Sequence, residues 1–119
     1  SGRTRPDMIR FSSAAAVALA LAASLPPPLP ARAADLAAGK AKARACVNCH
    51  GLDGLSRQPD APNIAGQIEM YLIEQLRAFR DGERRNPQMT VIAKPLSDAD
   101  IENLAAWYSA VEITVTPPE

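Results

Sequence analysis

A five-residue motif carries the residue types needed for covalent haem attachment. Cys46 and Cys49 are separated by two residues, and His50 follows directly. Two thiols at this spacing can each add to a vinyl group of one haem, and the adjacent histidine then lies under the iron as its proximal ligand. The motif therefore predicts one haem c, attached through Cys46 and Cys49, with His50 bound to the iron.

Three other interpretations of the motif fit the sequence less well. A thioredoxin-like pair of cysteines would follow a strand, whereas the alanine-rich stretch before Cys46 favours a helix. A structural zinc site needs four ligands, and the chain has 2 cysteines and 1 histidine in total. A disulfide across two residues would close a very small loop and leave His50 without a role.

Residues 1–34 have the features of an export signal. A basic stretch after Met8 leads into an alanine- and leucine-rich run, and Ala31-Arg32-Ala33 has the small-x-small pattern of a signal peptidase site. The apolar run is shorter than the roughly 20 residues that span a bilayer. We therefore expect residues 1–34 to comprise upstream residues and a cleavable signal peptide, and residues 35–119 to form one domain. An uncleaved signal that anchors the domain is the alternative.

Charge and composition agree with an exported haem domain. The chain has 13 basic and 13 acidic residues, and loss of the arginine-containing leader leaves the domain mildly acidic. A mildly acidic surface argues against nucleic-acid binding, for which a basic stripe is expected. Because c-type haem is attached outside the cytoplasm in bacteria, we expect a periplasmic location and no transmembrane anchor after signal cleavage.

Three helices are predicted in the domain, and no strand alternation is present. The first begins at Asp35, which can cap it, and runs to about Cys46. The second covers 67–81 and the third covers 98–110. Their apolar faces consist of residues at helical spacing: Ile68, Leu72, Leu76 and Phe79 in the second, and Ile101, Leu104, Trp107 or Tyr108, and Val111 in the third. The sequence thus predicts an all-α fold with about three main helices around one covalently bound haem.

Local signals mark the ends of these helices. Gly82 is suited to stop the second helix in a left-handed conformation. Ser97 can cap the third helix, and Asp98 and Asp100 place negative charge at the positive end of its dipole. These signals give the second and third helices defined boundaries.

The segment 83–96 contains two prolines and lacks helical periodicity. A long irregular segment in a small domain is usually functional. Met89 at its centre carries a thioether sulfur, a soft ligand suited to haem iron. We predict that Met89 is the sixth iron ligand, whereas Met70 is assigned to ordinary core packing.

These features together resemble class I c-type cytochromes. The resemblance is strongest to the short bacterial monohaem members and to single halves of the bacterial dihaem c-type cytochromes, and it covers residues 34–111. It rests on these motifs: Cys46-Val47-Asn48-Cys49-His50-Gly51, Pro62-Asn63-Ile64-Ala65-Gly66-Gln67, Tyr71-Leu72, Gln75-Leu76, Gly82, Arg84, Asn86, Met89, Leu96-Ser97-Asp98 and Leu104-Ala105-Ala106-Trp107-Tyr108.

The resemblance implies a cytochrome c-like fold with Met89 as the sixth ligand. It also implies that the carbonyl of Pro62 accepts a hydrogen bond from His50, which orients the imidazole and tunes its basicity. The first and last helices of this family cross at a small residue, here Gly39 against 107–108.

Function is expected to follow from the axial ligands. With His50 and Met89 on both axial positions, the iron has no open site for a substrate. We therefore expect an electron carrier rather than an enzyme, cycling between Fe(II) and Fe(III) and meeting redox partners through a transient interface at the haem edge. The alternatives are a cytochrome c subunit of a dehydrogenase or oxidase complex, and a haem enzyme or gas sensor if Met89 does not bind iron.

Basic residues around the second helix have several possible roles. They are Arg77, Arg80, Arg84 and Arg85. They could contribute to the partner interface, contact a haem propionate, or form a solvated face balanced by Asp81 and Glu83.

Overall fold

The computed structural model describes Gly2 and residues 33–119, so the predicted signal segment lies almost entirely outside the described residues. Within 33–119 the regular structure is helical and contains no strand, which confirms the all-α prediction. The elements are α1 (Leu36–Lys42), a 3₁₀ turn (Ala43–Ala45), α2 (Val47–His50), α3 (Glu69–Asp81), α4 (Met89–Ala93) and α5 (Asp98–Ser109). None of these helices is long and apolar enough to cross a membrane.

Helices α1 and α5 cross at Gly39, as predicted. Gly39 is buried, and a Cβ atom there would overlap the backbone carbonyl oxygen of Asn103 and press on Trp107. Asn103 also accepts a hydrogen bond from the backbone N–H of Asp35 at 2.7 Å through its side-chain oxygen. At this crossing the backbones of the first and last helices are therefore in direct contact.

The core lies between α3, α5 and the 3₁₀ turn that follows α1. Its buried members are Ala43, Leu72, Ile73, Ile101, Leu104, Ala105 and Tyr108. Partly buried residues of the haem motif and the following loops, Cys46, Leu52 and Ile64, pack against this core. The haem motif therefore packs directly against the core.

The predicted capping residues perform that function in the structure. The Asp35 carboxylate accepts hydrogen bonds from two backbone N–H groups in the first turn of α1. Gly82 ends α3 with φ +83°. Ser97 and Asp100 form a reciprocal capping box at the start of α5. Each cap depends on neighbouring residues only, so the sequence pattern was sufficient to find it.

The structure adds a change of helix type and one short helix to the prediction. The first helix is α-helical to Lys42 and then continues as the 3₁₀ turn to Ala45, close to its predicted end at about Cys46. The segment 83–96, predicted to be irregular, contains α4. The side chain of Asn86 accepts hydrogen bonds from the backbone N–H groups of Gln88 and Met89, which gives this short helix a start that the sequence periodicity did not reveal.

Two side chains at the start of α3 are exposed, contrary to prediction. Ile68 precedes the helix and is 70% exposed, and Met70 in its first turn is 61% exposed. The apolar face of α3 is formed by later residues, of which Leu72, Ile73 and Phe79 are buried. The assignment of Met70 to the core is therefore wrong.

Arginines of α3 join this helix to α5. Arg77 lies 3.1 Å from Glu102, and Arg80 lies 2.8 Å from Asp98. Arg80 also pairs with Asp81 at 3.0 Å, which is one of the two acidic residues named for the balanced basic face. Exposed pairs of this kind contribute little stability individually, but they fix the relative orientation of two helices.

Candidate haem site

The two thiols and the imidazole lie on one short helical turn. The backbone N–H groups of Cys49 and His50 both donate to the carbonyl oxygen of Cys46, at 3.3 and 2.9 Å. Both cysteines are free thiols and partly buried. The three predicted haem-binding side chains of this motif are therefore presented by a single hydrogen-bonded unit.

The imidazole of His50 is held in one tautomer by Pro62. His50 is 8% exposed, and its Nδ1 atom lies 2.8 Å from the Pro62 carbonyl oxygen. Because a carbonyl oxygen only accepts hydrogen bonds, Nδ1 carries the proton and donates it. Nε2 is then left with its lone pair, as a metal ligand requires.

The loop after His50 is hydrogen-bonded to the loop that contains Pro62. Gly51 turns the chain with φ +70° directly after the histidine. The carbonyl of Gly54 accepts hydrogen bonds from the backbone N–H groups of Ile64 and Ala65, at 2.8 and 3.1 Å. The imidazole and the carbonyl that orients it thus belong to two loops that are tied together.

The last turns of α5 hold both loops. The Trp107 indole Nε1–H donates to the Leu52 carbonyl at 2.9 Å, and the Tyr108 hydroxyl donates to the Gly51 carbonyl at 2.9 Å. The backbone N–H of Gly66 donates to the carbonyl of Tyr108 at 2.9 Å. The sequence pattern indicated only a packing role for these aromatic residues. The indole N–H and the phenol O–H could have indicated these bonds, because such groups need a hydrogen-bond partner when the ring is buried.

Burial sets the protonation state around Cys46. It raises the pKa of the Cys46 thiol, and the nearby Tyr108 hydroxyl opposes that shift without cancelling it. Burial likewise raises the pKa of the Tyr108 hydroxyl. Both groups are therefore neutral at physiological pH, and Cys46 is a thiol rather than the more reactive thiolate.

Met89 is held by short-range contacts. It is the first residue of α4 and is partly buried, and its backbone N–H donates to the side chain of Asn86 at 2.9 Å. The backbone N–H of Asn86 in turn donates to the Thr90 hydroxyl at 3.0 Å. The structure thus joins the motif and Pro62 in one hydrogen-bonded cluster, whereas Met89 lies on α4, which packs against α3.

Large apolar side chains are exposed at the start of α3 and on α4. They are Ile68, Met70 and Tyr71 on the first element, and Val91 and Ile92 on the second. Val91 and Ile92 are adjacent on α4, and adjacent exposed apolar side chains favour contact with a partner. The two free thiols and the His50 tautomer fit a covalently attached haem.

The fold and the motif define an all-α haem protein of the c type. The sequence profile of the cytochrome c family matches residues 36–111, and the chain belongs to this family. Membership of this family implies covalently attached haem c, and the cysteines at positions 46 and 49 fit the family's attachment motif.

Two named relatives differ in how much of their length this chain covers. Cytochrome c4 of Pseudomonas aeruginosa is 43% identical over 83 residues, which span 70% of this chain and 41% of that protein. Cytochrome c-554(548) of Halomonas halodenitrificans is 46% identical over 83 residues, which span 67% of this chain and 100% of that protein. The chain thus spans less than half of the first relative and the whole length of the second.

A solved structure supports the fold assignment. The chain is similar to reduced recombinant cytochrome c4 from Pseudomonas stutzeri, with a TM-score of 0.64 and 39% sequence identity. The match covers 70% of this chain and 48% of that chain. The domain therefore resembles about half of that cytochrome c4, in agreement with the resemblance to one half of a dihaem protein.

Proposed function

We propose that this chain is an exported single-electron carrier whose haem iron is bound axially by His50 and Met89 and whose haem is attached through Cys46 and Cys49. When bound, the haem supplies the one-electron Fe(II)/Fe(III) couple. The observation that carries the proposal is the 2.8 Å hydrogen bond from His50 Nδ1–H to the Pro62 carbonyl. This bond fixes the tautomer that leaves Nε2 free to bind iron.

Each ligand has a distinct role in the proposal. The Pro62 carbonyl orients the His50 imidazole and raises its basicity through the shared proton. The Met89 sulfur is a soft donor, and a histidine and methionine pair gives a higher reduction potential than two nitrogen ligands. With both axial positions filled by side chains, the protein exchanges electrons and excludes substrate from the iron.

The proposal includes export and processing. Residues 1–34 are removed by cleavage near Ala33 or Ala34, and 35–119 is the periplasmic domain. The small-x-small pattern before Ala34 supports this, as does the need to attach haem c outside the cytoplasm. Mass spectrometry of the exported protein is expected to give a mature N-terminus at Ala34 or Asp35, whereas an intact leader in the membrane fraction would contradict the proposal.

Redox partners are proposed to dock transiently at the haem edge. The exposed side chains of Val91 and Ile92 on α4 provide apolar surface, and Arg85 just before them provides exposed charge. Small mixed surfaces of this type suit short-lived electron-transfer encounters. Co-purification of a stable partner would instead favour the subunit of a dehydrogenase or oxidase complex.

Carbon monoxide binding to the reduced protein tests the axial ligands. Wild type is expected to take up carbon monoxide slowly, because Met89 occupies the sixth position. Met89→Ala is expected to take it up rapidly. Met70→Ala is the matched control, since Met70 is exposed on α3 and its loss leaves the site intact. Rapid uptake by wild type would contradict the proposal and favour a gas sensor or haem enzyme.

A further inference from the structure

The basic residues of α3 and those around α4 differ in what their charges contact. Arg77 and Arg80 form ion pairs with carboxylates of α5. Within the part of the chain that the structure describes, no ion pair involves Arg84, Arg85 or Lys94, and all three are exposed. The charges of the first group join two helices, whereas those of the second group are available to a partner.

The contacts of Arg84 leave its charge in place. Its guanidinium donates to the side-chain oxygen of Gln75 at 2.6 Å and lies over the Phe79 ring, 4.7 Å from the centroid. Both contacts are with uncharged groups. Arg84 therefore adds positive charge beside Arg85.

Two of these charges flank an apolar side chain. Arg85 and Val91 line the same surface groove beside α4. Lys94 follows Val91 by three positions on helical backbone, a spacing that places two side chains on the same side of a helix. Val91 is 69% exposed. Arg85, Val91 and Lys94 thus form one surface, here termed the α4 face, with positive charge on both sides of an apolar centre.

The α4 face is positive on a domain that is negative as a whole. Residues 35–119 include 9 basic and 12 acidic residues, whereas 83–96 includes 3 basic residues and 1 acidic residue, Glu83. Haem propionates add negative charge when haem is bound. A local charge of this kind attracts a partner surface of opposite sign and orients it, while the rest of the domain repels that surface.

We propose that the α4 face docks redox proteins whose contact surface carries carboxylates around an apolar centre. The inference rests on the proposed function, because it names the chemistry of the partner that exchanges electrons at the haem edge. The partner's carboxylates pair with Arg85 and Lys94, and its apolar centre covers Val91. An anionic membrane is the less suitable occupant, because binding to lipid scales with buried apolar area and α4 has only five residues.

The test is voltammetry of the haem-loaded protein on gold electrodes coated with defined monolayers. One monolayer mixes carboxylate- and methyl-terminated thiols and imitates the proposed partner, and the other mixes amine- and methyl-terminated thiols. One electron passes between the gold and the haem iron, which cycles between Fe(III) and Fe(II). Wild type is expected to exchange electrons faster on the carboxylate monolayer, although the domain is acidic. This advantage is expected to disappear in about 1 M salt, which screens exposed charges beyond about 3 Å.

Lys94→Gln removes one charge from the α4 face. The dissociation constant for the carboxylate monolayer is expected to rise about threefold, and about tenfold in the double variant Arg85→Gln, Lys94→Gln, as for exposed ion pairs. Lys40→Gln is the matched control, because it makes the same charge change at an exposed lysine of α1, which packs against α5. It is expected to bind as wild type does.

The midpoint potential from the same scans separates docking from contact with a haem propionate. A cation held against a propionate favours Fe(II), so its removal lowers the potential. We expect the potential of Lys94→Gln and of the double variant to equal that of wild type.

Four results would overturn the inference. They are faster exchange by wild type on the amine monolayer, equal weakening by Lys40→Gln, a lowered potential in the α4-face variants, and binding to phosphatidylglycerol vesicles that the double variant loses. The third result would assign these cations to a propionate, and the fourth would assign the α4 face to a membrane. A protein without a reversible one-electron wave on either monolayer would instead contradict the proposed function.

Discussion

The two sides of the candidate haem site are held by hydrogen bonds of very different range. On the His50 side, Trp107 and Tyr108 reach backbone carbonyls that lie 55 and 57 residues away in sequence. On the Met89 side, the hydrogen bonds that Asn86 makes through its side chain and its backbone N–H join residues two to four positions apart. The position of His50 therefore depends on the whole fold, whereas the position of Met89 depends on one short segment.

This difference has an energetic consequence. Moving His50 requires breaking the contact of α5 with both loops, which amounts to unfolding the domain. Moving Met89 requires only that the segment around α4 opens, and local opening costs less free energy than global unfolding. We therefore expect His50 to stay in place under conditions in which the segment around Met89 opens and closes.

The largest expected effect is at the crossing of α1 and α5. Gly39→Ala places a Cβ atom against the carbonyl of Asn103, and backbone overlap cannot be relieved by a side-chain rotation. We expect the free energy of unfolding to fall by about 3 kcal/mol, measured by urea titration of the haem-loaded protein.

Gly82→Ala is the control on the methionine side. Nothing lies within 4 Å of the Cβ position at Gly82, so the cost there is only the left-handed backbone, with φ +83°. That cost is about 1 kcal/mol. If the free energy of unfolding fell equally in the two glycine variants, the stability of the fold would not depend more on the His50 side than on the Met89 side.

An intermediate effect is expected at Asn86, which precedes α4. Asn86→Ala removes the acceptor for two backbone N–H groups, at a local cost of about 1 kcal/mol. Because the cost falls on a segment that opens by itself, carbon monoxide uptake by the reduced protein is expected to accelerate about fivefold with little change in global stability.

Ser97→Ala makes the matching change at α5. It removes the N-cap of a core helix, and we expect global stability to fall by about 1 kcal/mol while carbon monoxide uptake stays unchanged. If Asn86→Ala and Ser97→Ala had the same effect on both measurements, the two sides of the site would not be independent.

The smallest expected effect is a pH dependence at the junction of α3 and α5. The hydrogen bond from Arg80 lowers the pKa of Asp98 below its ordinary value. A lowered folded-state pKa adds stability that is present above the unfolded pKa, about 4, and is lost as the pH falls through the folded value. Because Asp98 is exposed, the gain is small.

Comparison of unfolding curves in acid checks this prediction. Asp98→Asn is expected to have a shallower loss of stability than wild type as the pH is lowered below about 4, the ordinary range for aspartate. Asp60→Asn, in an exposed loop, is expected to follow wild type. If wild type and Asp98→Asn lost stability identically as the pH falls, the Arg80–Asp98 pair would not contribute to the stability of the fold.

Features set by neighbouring residues were predictable from the sequence. The caps at Asp35, Gly82 and Ser97 depend on one or two turns of chain, and the C-x-x-C-H motif specifies its chemistry within five residues. The small residue at the helix crossing, Gly39, was found through the family resemblance, since no local pattern shows which helix will pack on it.

Features set by distant residues were not predictable. No sequence pattern pairs Tyr108 with Gly51 or Trp107 with Leu52, because each bond depends on how the terminal helix lies on the haem motif. Met70 was misplaced because a methionine on a predicted helix gives no sign of the direction its turn faces. The start of α4 was missed because Asn86, whose side chain binds the backbone N–H groups of Gln88 and Met89, lies next to a proline in a segment without apolar periodicity.

The most direct test of the central claim is the near-infrared spectrum of the oxidised protein. A methionine sulfur on ferric haem gives a weak charge-transfer band that other axial ligands do not give. We predict this band in wild type and in Met70→Ala, and its loss in Met89→Ala. A wild-type protein without the band, or a Met89→Ala protein that retains it, would contradict axial ligation by His50 and Met89.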